Sequence, residues 1–517
     1  MRYLPKYFYQ IVPSLQHAIT AIYNNNTRSI VMLSILAATV VRIWYAHLQV
    51  VDFWGDSYHH WLISRLILAN NWVYTDYKGM ETIWLPGYHY LVSIVMFLWQ
   101  RFDLAPAYLI NSLLGTLTCG LAAWLVVKVS KNGWAGLVAG LTLAMLPWHV
   151  AYSHINMPEV ASGLFLLLSF ALARNGRYVW LVLFAFICGL TRYELSLILA
   201  ILGGWLLWQR QWRVVFALGF GVLLALVTWS IWSWFITGDA LAWWTRSQVA
   251  AAWDAQFGIE AGIRSVVDFN GLKDSLLQIY PPLYVTGIAL LLGFSYKSWC
   301  ARLTNSGWLL ATLVAVHWLF LYFFMVRHLP NLDPRFFLIS LPLLVCVGSL
   351  VIAAIPRRKT RGVFWGLHLV ILLFSLGQLP AFAKKAYVLS PERAAGEHLG
   401  TIASEKGNFL VDAPTSIYYS GLSPERFLSS DQVLPDDKRW VENTLDLALA
   451  AIEQNDIRYV LWQDVSYSFI GQVWPVMAAG QAFEQNAYRF VPVFHYSGWE
   501  LRYGAKPTVL WEVRKKK

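Results

Sequence analysis

Long apolar runs, separated by short loops that carry Lys and Arg, recur from residue 29 to about residue 381. A helix needs roughly 20 apolar residues to cross the hydrocarbon of a bilayer, and runs of this kind are typical of such helices. Across the chain 57% of the residues are hydrophobic, and the mean hydropathy is +0.48. Because a soluble core of this composition is implausible, the sequence predicts a polytopic α-helical membrane protein.

The first apolar run, residues 30–48, predicts a retained membrane span. It follows a polar stretch and has no small-residue cleavage motif after it, so it lacks the pattern of a signal peptide. The net charge of +11 would indicate nucleic acid in a soluble protein, but here the basic residues lie in clusters between apolar runs. The clusters therefore favour orientation in the bilayer over nucleic-acid binding.

Five basic clusters set the predicted topology, because Lys and Arg in short loops mark the cytoplasmic side of a membrane protein. The clusters are Lys128 with Lys131, Arg174 with Arg177, Arg210 with Arg213, Lys297 with Arg302, and Arg357, Arg358, Lys359 and Arg361. With these and the N-terminus inside, the chain crosses eleven times and its C-terminus lies outside. The predicted spans are residues 29–48, 106–127, 134–152, 160–173, 178–191, 195–208, 214–236, 281–295, 307–325, 336–355 and 363–381. All thirteen Asp and Glu residues of the first 383 positions then lie outside, which places the candidate chemistry on that side.

The apolar run Leu85–Trp99 is not counted as a crossing. One more crossing here would invert the later loops and put all five basic clusters outside. The run contains His89 and several aromatic side chains, which are favoured at the membrane interface. It predicts a juxtamembrane helix.

The predicted organisation has three parts. Residues 1–28 form a cytoplasmic segment, residues 29–383 a membrane domain with a long first outer loop (49–105), and residues 384–517 an extracytoplasmic domain. The last part holds sixteen of the 29 acidic residues together with alternating apolar positions. A small soluble α/β domain is predicted there, with strands at 408–412 and 458–463 and a helix at 441–454.

The first outer loop contains the sequence VDFWGDSYHHW, in which Asp56 is a candidate general base. Partial burial beside aromatic rings raises the pKa of a carboxylate toward the range in which it can accept a proton. The alternative is that Asp56 caps the helix that follows, and the two roles are compatible. Asp52 is a weaker candidate, because it lies closer to the end of the first span.

Histidines in the outer loops raise the question of a metal. His59 and His60, with His154 and Glu159, are conceivable ligands for a divalent ion. Their spacing matches no metal signature, so a structural or hydrogen-bonding role is preferred.

Two further motifs place charge close to apolar segments. In the second outer loop, WHVAYSHINMPE, Glu159 is either a functional carboxylate or a first-turn acid favoured by the helix dipole. In the motif TRYE, Arg192 and Glu194 lie within a long apolar stretch, where charges are costly unless they pair or line a polar cavity. Because the two side chains would point in different directions on one helix, lining of a cavity is preferred to a structural pair.

The segment VRHLPNLDPRFFLISLP carries Arg327, His328 and Arg335 at an outer interface. Guanidinium groups suit an anionic phosphate, and the alternative is snorkelling of Arg toward the headgroups. Three donors beside Asp333 and two prolines favour a phosphate site.

In order along the chain come an Asp56-bearing outer loop, the aromatic-Pro helix WLPGYHYL, the acidic loop MPE, the Arg-acid motif TRYE, and a pattern from Arg335-Phe336 to Pro342. Over most of residues 29–345 this order resembles the GT-C superfamily of polytopic glycosyltransferases. The resemblance is particularly to the protein O-mannosyltransferase and aminoarabinose transferase branch, which uses polyprenyl-phosphate sugars. Many members carry Asp-Glu where this chain has Asp56-Ser57, which makes Glu159 the candidate second carboxylate.

The resemblance implies a membrane glycosyltransferase that moves a sugar, with mannose one candidate, from a polyprenyl-phosphate donor to an acceptor hydroxyl with inversion. Asp56 and Glu159 are then expected to be catalytic. The residues expected to bind substrate are Arg335, Arg192, Arg327, Glu194, His59 and Tyr88. No cofactor and no metal site are expected, with a divalent ion left open.

The expected partners are the lipid-linked donor, membrane lipids and a glycan, lipid or protein acceptor, but not nucleic acid. The expected location is a cell membrane, with the N-terminus in the cytoplasm and the C-terminal domain outside. A transporter or flippase of a lipid-linked or anionic substrate is the alternative, because charges within apolar segments also suit a substrate pathway.

Overall fold

Apolar helices make up most of the described residues before position 384. The computed structural model describes residues 26–48, 52–75, 84–245, 276–294, 305–328, 334–402, 407–430, 444–463, 469–503 and 505–516. The helices before residue 246 are α1 (Thr27–Leu48), α2 (Gly55–Ala69), α3 (Pro86–Trp99), α4 (Ala105–Ser130), α5 (Gly133–Met145), α6 (Pro147–Tyr152), α7 (Glu159–Arg174), α8 (Tyr178–Gly189), α9 (Tyr193–Trp208) and α10 (Trp212–Thr237). Those after it are α11 (Leu283–Phe294), α12 (Asn305–His328), α13 (Leu341–Ala353), α14 (Arg358–Leu376) and α15 (Leu379–Ala383), with a 3-10 turn at Pro334–Ile339.

By length and apolar composition, four helices of the described residues are able to cross a membrane. They are Thr27–Leu48, Ala105–Ser130, Trp212–Thr237 and Arg358–Ala381. Five of the other seven predicted spans correspond to shorter apolar helices, such as α5 and α13. The sequence therefore predicts where the apolar helices lie, whereas the eleven crossings stay a prediction.

The predicted span 134–152 is divided in two by Pro147. Leu146, the residue before the proline, has an extended backbone (φ −68°, ψ 121°), and α6 begins at Pro147 itself. Proline lacks an N–H and disfavours a helical conformation in the preceding residue, so α5 cannot continue through this point.

Large apolar side chains on several helices point away from the protein interior. Phe216, Phe220 and Phe235 of α10 are exposed, as are Val370 and Phe374 of α14. Side chains of this kind are costly in water and favourable against lipid chains, so their position agrees with a membrane environment.

The C-terminal part contains the predicted small α/β unit. Its strands are β1 (Asn408–Val411), β2 (Phe427–Leu428), β3 (Ile457–Gln463), β4 (Phe483–Gln485), β5 (Tyr488–His495) and β6 (Thr508–Lys515). They form one sheet in the order β2-β1-β3-β6-β5-β4, in which β1 is parallel to β2 and β3 and the other pairs are antiparallel. Its helices are α16 (Ser390–Ile402), α17 (Pro414–Ser420), α18 (Thr444–Gln454) and α19 (Phe469–Val473).

The two faces of this sheet are buried in different cores. Phe409 of β1 and Leu461 of β3 belong to a core that is continuous with the membrane helices. Their neighbours Leu410 and Val460 belong to a second core, which also contains Ala448 of α18. Successive side chains of a strand point to opposite faces, so one sheet can be packed on both sides.

Helix α17 of this domain contacts α2, the helix that carries Asp56. The Tyr418 ring lies 4.9 Å from the Trp61 ring and 5.3 Å from the Tyr58 ring. The hydroxyl groups of Tyr419 and Tyr58 are 3.2 Å apart. The C-terminal domain therefore supports the side of α2 that faces away from the cavity described below.

Candidate active site

A cavity of about 560 Å³ lies among α2, α3, α9, α12 and the turn at Pro334–Ile339. Its polar wall includes Asp56, Arg192, Glu194 and Arg335. Its apolar wall includes Trp84, Leu197, Leu226, Trp243, Phe320 and Phe336. A space with two cations on one wall and apolar side chains on the other suits an amphiphile that carries an anionic group.

Asp56 and Arg335 form an ion pair on the polar wall of the cavity, with 2.6 Å between Arg335 Nη1 and Asp56 Oδ2. The Asp56 side chain is 38% exposed, which leaves the carboxylate accessible from the cavity. Trp54 occupies the N-cap position of α2 and makes no side-chain cap bond, while Asp56 lies in the first turn. Asp56 is therefore not the N-cap residue that one of the two predicted roles required.

Arg192 lies between two carboxylates. Its Nη1 is 3.2 Å from Glu159 Oε1, and its Nη2 is 2.8 Å from Glu194 Oε1. The prediction that Arg192 and Glu194 would point apart is wrong, because Arg192 is not helical. It is the N-cap residue of α9 with an extended backbone (φ −153°, ψ 139°), which turns its side chain back toward Glu194.

Glu159 is completely buried, and it is not among the side chains that line the cavity. It is the first residue of α7, where the helix dipole favours a carboxylate. A buried carboxylate needs a partner, and Arg192 supplies the positive charge. This geometry fits a residue that positions Arg192 better than one that contacts a substrate.

One aromatic ring lies beneath both guanidinium groups. The Cζ atoms of Arg192 and Arg335 are 5.2 and 5.0 Å from the centre of the Phe336 ring, and Arg335 is also 5.2 Å from the Trp54 ring. Cation–π contacts of this kind hold a guanidinium in place while its N–H groups keep their hydrogen-bonding capacity. The two arginines are thereby held on the same wall of the cavity.

A backbone hydrogen bond joins the start of α3 to the segment that precedes Arg192. Gly87 N, in the first turn of α3, donates a hydrogen bond to Leu190 O at 2.6 Å, two residues before Arg192. A Cβ built on Gly87 would lie 2.7 Å from the same oxygen. Glycine is the residue that permits this approach of two backbones.

Gly87→Ala is expected to destabilise the protein by about 1–3 kcal/mol and to lower activity, because the segment that carries Arg192 has to move away from the added methyl group. Thermal unfolding in detergent measures the first effect. Gly203→Ala is the matched control, since a Cβ at Gly203 meets nothing within 4 Å. Equal unfolding temperatures for the two variants would contradict the role given to Gly87.

A buried hydrogen-bond network connects the loop that precedes Glu159 to α2 and α3. Tyr88 OH donates to Asn156 Oδ1 at 2.9 Å and accepts from Asn111 Nδ2 at 2.8 Å. Asn156 in turn donates from its backbone N to Ser57 Oγ at 2.7 Å and from Nδ2 to Ser57 O at 3.0 Å. Ser57, which replaces the second acid of the resembled motif, therefore holds the loop that leads to Glu159.

Asp52 lies behind this network and does not line the cavity. It is 1% exposed and accepts hydrogen bonds from the Ser57 hydroxyl and from Trp54 N. Burial raises the pKa of Asp52 to about 7, although these hydrogen bonds act in the opposite direction. Asp52 is thus a carboxyl group that folding favours in its protonated form.

This raised pKa predicts a pH-dependent stability. Between about pH 4 and pH 7 the folded protein binds one proton more than the unfolded chain, because Asp52 is protonated only in the folded state. The stability that comes from protonated Asp52 is therefore fully present below about pH 4 and is lost as the pH rises through 7. Over the window the loss is at most about 4 kcal/mol. Asp52→Asn, which does not ionise, is expected to flatten the fall in unfolding temperature between pH 5 and pH 8. Parallel profiles for the wild type and the variant would contradict the prediction.

The structure brings most of the predicted binding residues together. Arg335, Arg192, Glu194 and Tyr88 line the cavity, whereas the ring of His59 is buried against Trp84, 4.8 Å away, and does not line it. The side chains of Arg327 and His328, and all of Asp333, lie outside the part of the chain that the structure describes. Seven of the thirteen acids of the first 383 positions are also outside it: Asp76, Glu81, Asp254, Glu260, Asp268, Asp274 and Asp333.

The histidines considered as metal ligands are not gathered at one point. His60 contacts His89, and His154 Nδ1 is 3.2 Å from Ser112 Oγ. In the described ranges no three His, Cys, Asp or Glu side chains lie close enough together to hold a metal ion.

Several lining residues were not predicted as functional. Trp243, Phe320 and Phe336 belong to segments whose aromatic side chains are also typical of the membrane interface, so their composition carries no separate signal. His60 is different, because it lies four residues after Asp56 on α2. That spacing places both side chains on one face of the helix, and it is a signal that the sequence contains.

Solved structures share this arrangement of helices. ArnT from Cupriavidus metallidurans bound to undecaprenyl phosphate aligns with a TM-score of 0.58 and 12% identity over 93% of this chain and 97% of its own. The archaeal oligosaccharyltransferase AglB from Archaeoglobus fulgidus, in complex with an inhibitory peptide and a dolichol-phosphate, aligns with a TM-score of 0.53 and 13% identity over 84% of this chain and 69% of its own. The A. fulgidus oligosaccharyltransferase tethered to an acceptor peptide gives a TM-score of 0.52 at 10% identity over 86% and 70%.

These likenesses confirm the predicted GT-C fold. At the level of sequence, no protein-family model and no curated protein matches the chain.

Proposed function

We propose, from this GT-C fold and the cavity within it, that the chain is a glycosyltransferase. Its donor is a sugar linked to a polyprenyl phosphate, and its acceptor is a hydroxyl group on the extracytoplasmic side. The observation that carries the proposal is a single cavity in which an accessible carboxylate, Asp56, faces two guanidinium groups, Arg335 and Arg192, beside an apolar wall. The fold supports it, because two neighbours are solved with a polyprenyl or dolichol phosphate.

The charges of the cavity suit a phosphodiester. Each guanidinium carries five N–H donors, and the contact between Arg335 Nη1 and Asp56 uses one of them. Guanidinium binds phosphate oxygens in a bidentate geometry, and Phe336 fixes the planes of both groups. In the proposal the phosphate lies against Arg335 and Arg192, and the lipid chain lies along the apolar wall.

The proposed step is an inverting displacement at the anomeric carbon. The acceptor oxygen attacks this carbon while the bond from carbon to phosphate oxygen breaks, and Asp56 takes the proton of the acceptor hydroxyl. The phosphate gains one negative charge as it leaves, and Asp56 loses one. The total charge inside the cavity therefore stays constant. The guanidinium groups stabilise the leaving phosphate oxygen, so no general acid is needed to protonate it.

Sidedness is part of the proposal. Helix α7 begins at Glu159 beside the cavity and ends at Arg174, roughly 24 Å further along its axis. There the Arg174 guanidinium donates to the hydroxyl of Ser306 in the first turn of α12. In the sequence, α12 follows the basic residues Lys297 and Arg302. Because the basic loops and the cavity lie at different ends of these helices, the proposal places the cavity outside.

The test is transfer by the purified protein in lipid vesicles. We expect labelled sugar to move from a polyprenyl-phosphate donor to an acceptor, with the anomeric configuration inverted in the product. A nucleotide-sugar donor serves as the control and is expected to give none. Movement of the intact lipid-linked sugar between leaflets without transfer would instead support the flippase alternative.

A further inference from the structure

Two histidines on the cavity wall, His60 and His89, have no part in the proposed displacement. His60 lies on α2 four residues after Asp56, and His89 lies on α3. Their rings are joined by a contact of 2.7 Å between His60 Nδ1 and His89 Nε2. His89 Nδ1 is in turn 2.9 Å from the backbone oxygen of Leu85.

This chain of contacts determines which nitrogens carry protons. A carbonyl oxygen only accepts hydrogen bonds, so His89 Nδ1 must be the donor to Leu85 O. In a neutral imidazole the other nitrogen, His89 Nε2, is then an acceptor. His60 Nδ1 must donate to it, which leaves His60 Nε2 unprotonated.

The remaining way to satisfy the contacts is a doubly protonated His89. That would add a buried cation to a site that already contains Arg192 and Arg335, and both arginines act on the neighbouring His60. Burial first, and then the neighbouring groups in the order His89, His59, Arg192 and Arg335, hold the pKa of His60 well below its usual range. The neutral pair is therefore the favoured state.

The unprotonated nitrogen belongs to a side chain that lines the cavity. Among the described residues, His60 Nε2 makes no hydrogen bond, and the ring is held by Trp84 with 4.1 Å between ring centres. An unprotonated nitrogen attracts an O–H donor and repels the lone pairs of a phosphate oxygen. Its basicity is low, so it is suited to accept a hydrogen bond and not to remove a proton.

We propose that His60 Nε2 accepts a hydrogen bond from one hydroxyl of the donor sugar, and that His60 is thus a specificity-determining residue. His89 is its positioning residue, because it fixes the tautomer and the ring orientation. The inference rests on the proposed function. It restricts the range of donor sugars, since a donor with no hydroxyl at that position is rejected.

The tautomer is tested without activity. In protein with nitrogen-15 in its histidines, NMR distinguishes a protonated from an unprotonated ring nitrogen, and His60→Phe identifies the His60 signals. We expect Nδ1 of His60 to be protonated and Nε2 to be unprotonated. A proton on Nε2 would overturn the inference.

The hydroxyl contact is tested with polyprenyl-phosphate donors that each lack one sugar hydroxyl. For the wild type, we expect one of these donors to give a kcat/KM about 10- to 100-fold below that of the unmodified donor. For His60→Phe, we expect the same donor to lower kcat/KM by less than about 2-fold. His59→Phe, at the adjacent buried position, is the matched control. We expect the missing hydroxyl to lower its kcat/KM by the same factor as in the wild type. Equal penalties in the wild type and His60→Phe would overturn the inference while leaving the proposed function intact. No transfer by the wild type from the unmodified polyprenyl-phosphate donor would overturn both.

His89 gives a separate readout. His89→Gln keeps an acceptor for His60 Nδ1 and a donor for Leu85 O, whereas His89→Leu removes both. We expect the Gln variant to retain most of the discrimination between donors and the Leu variant to lose it. Discrimination that persists in His89→Leu would contradict the positioning role.

Discussion

Asp56→Asn is expected to lower the rate of transfer by about 10²- to 10⁴-fold, the range in which general bases contribute. Asn has nearly the same shape, and its side-chain oxygen can still accept from Arg335 Nη1, which is 2.6 Å from Asp56 Oδ2. Binding of the donor and the unfolding temperature are therefore expected to change little. Single-turnover transfer, measured beside donor binding, separates the two effects.

Asp103→Asn is a suitable control for this substitution. Asp103 lies between α3 and α4 and has the same exposed fraction as Asp56, 38%, but it pairs with Arg101 instead of lining the cavity. The variant is expected to transfer sugar at the wild-type rate. An Asp56→Asn protein that retains most of the wild-type rate would remove Asp56 from the role of base.

Arg192→Met is expected to have the largest effect on stability, a loss of about 3–5 kcal/mol. The substitution leaves the fully buried carboxylate of Glu159 without the guanidinium that lies 3.2 Å from it. It also removes the contact to Glu194 and one of the two cations of the cavity. We expect a lower unfolding temperature in detergent and weaker binding of the donor.

The double variant Arg192→Met with Glu159→Gln separates the two consequences. Much of the lost stability is expected to return in the double variant, because the buried carboxylate of Glu159, left without Arg192, is the main cause of the loss. Transfer is not expected to return, since the phosphate still lacks Arg192. A double variant no more stable than Arg192→Met would show that Glu159 is not the source of the penalty.

The positions of the membrane helices could be predicted because apolar runs and their flanking charges are local properties of a sequence. Spans expected at 106–127 and 178–191 correspond to Ala105–Ser130 and Tyr178–Gly189. The same holds for the strand expected at 458–463, which is Ile457–Gln463. The interruption at Pro147 was also present in the sequence, but an apolar run does not reveal whether a proline bends a helix or divides it.

The contacts within the site could not be obtained in this way. Asp56 and Arg335 are 279 positions apart, and no local pattern determines which outer carboxylate meets which arginine. The direction of the Arg192 side chain depended on one backbone conformation, an extended residue before α9. The contact between His60 and His89 depended on how α2 packs against α3.

The contact between α17 and α2 has a consequence for the order in which the protein matures. Tyr419 OH and Tyr58 OH, 3.2 Å apart in space, are separated by 361 positions in the chain. At a synthesis rate of about 5–20 residues per second, roughly 20 to 70 s pass between the two residues. During that time the ribosome has supplied α2, which carries Asp56, but not α17, which packs against it. The cavity thus acquires this contact only after α17 has been synthesised.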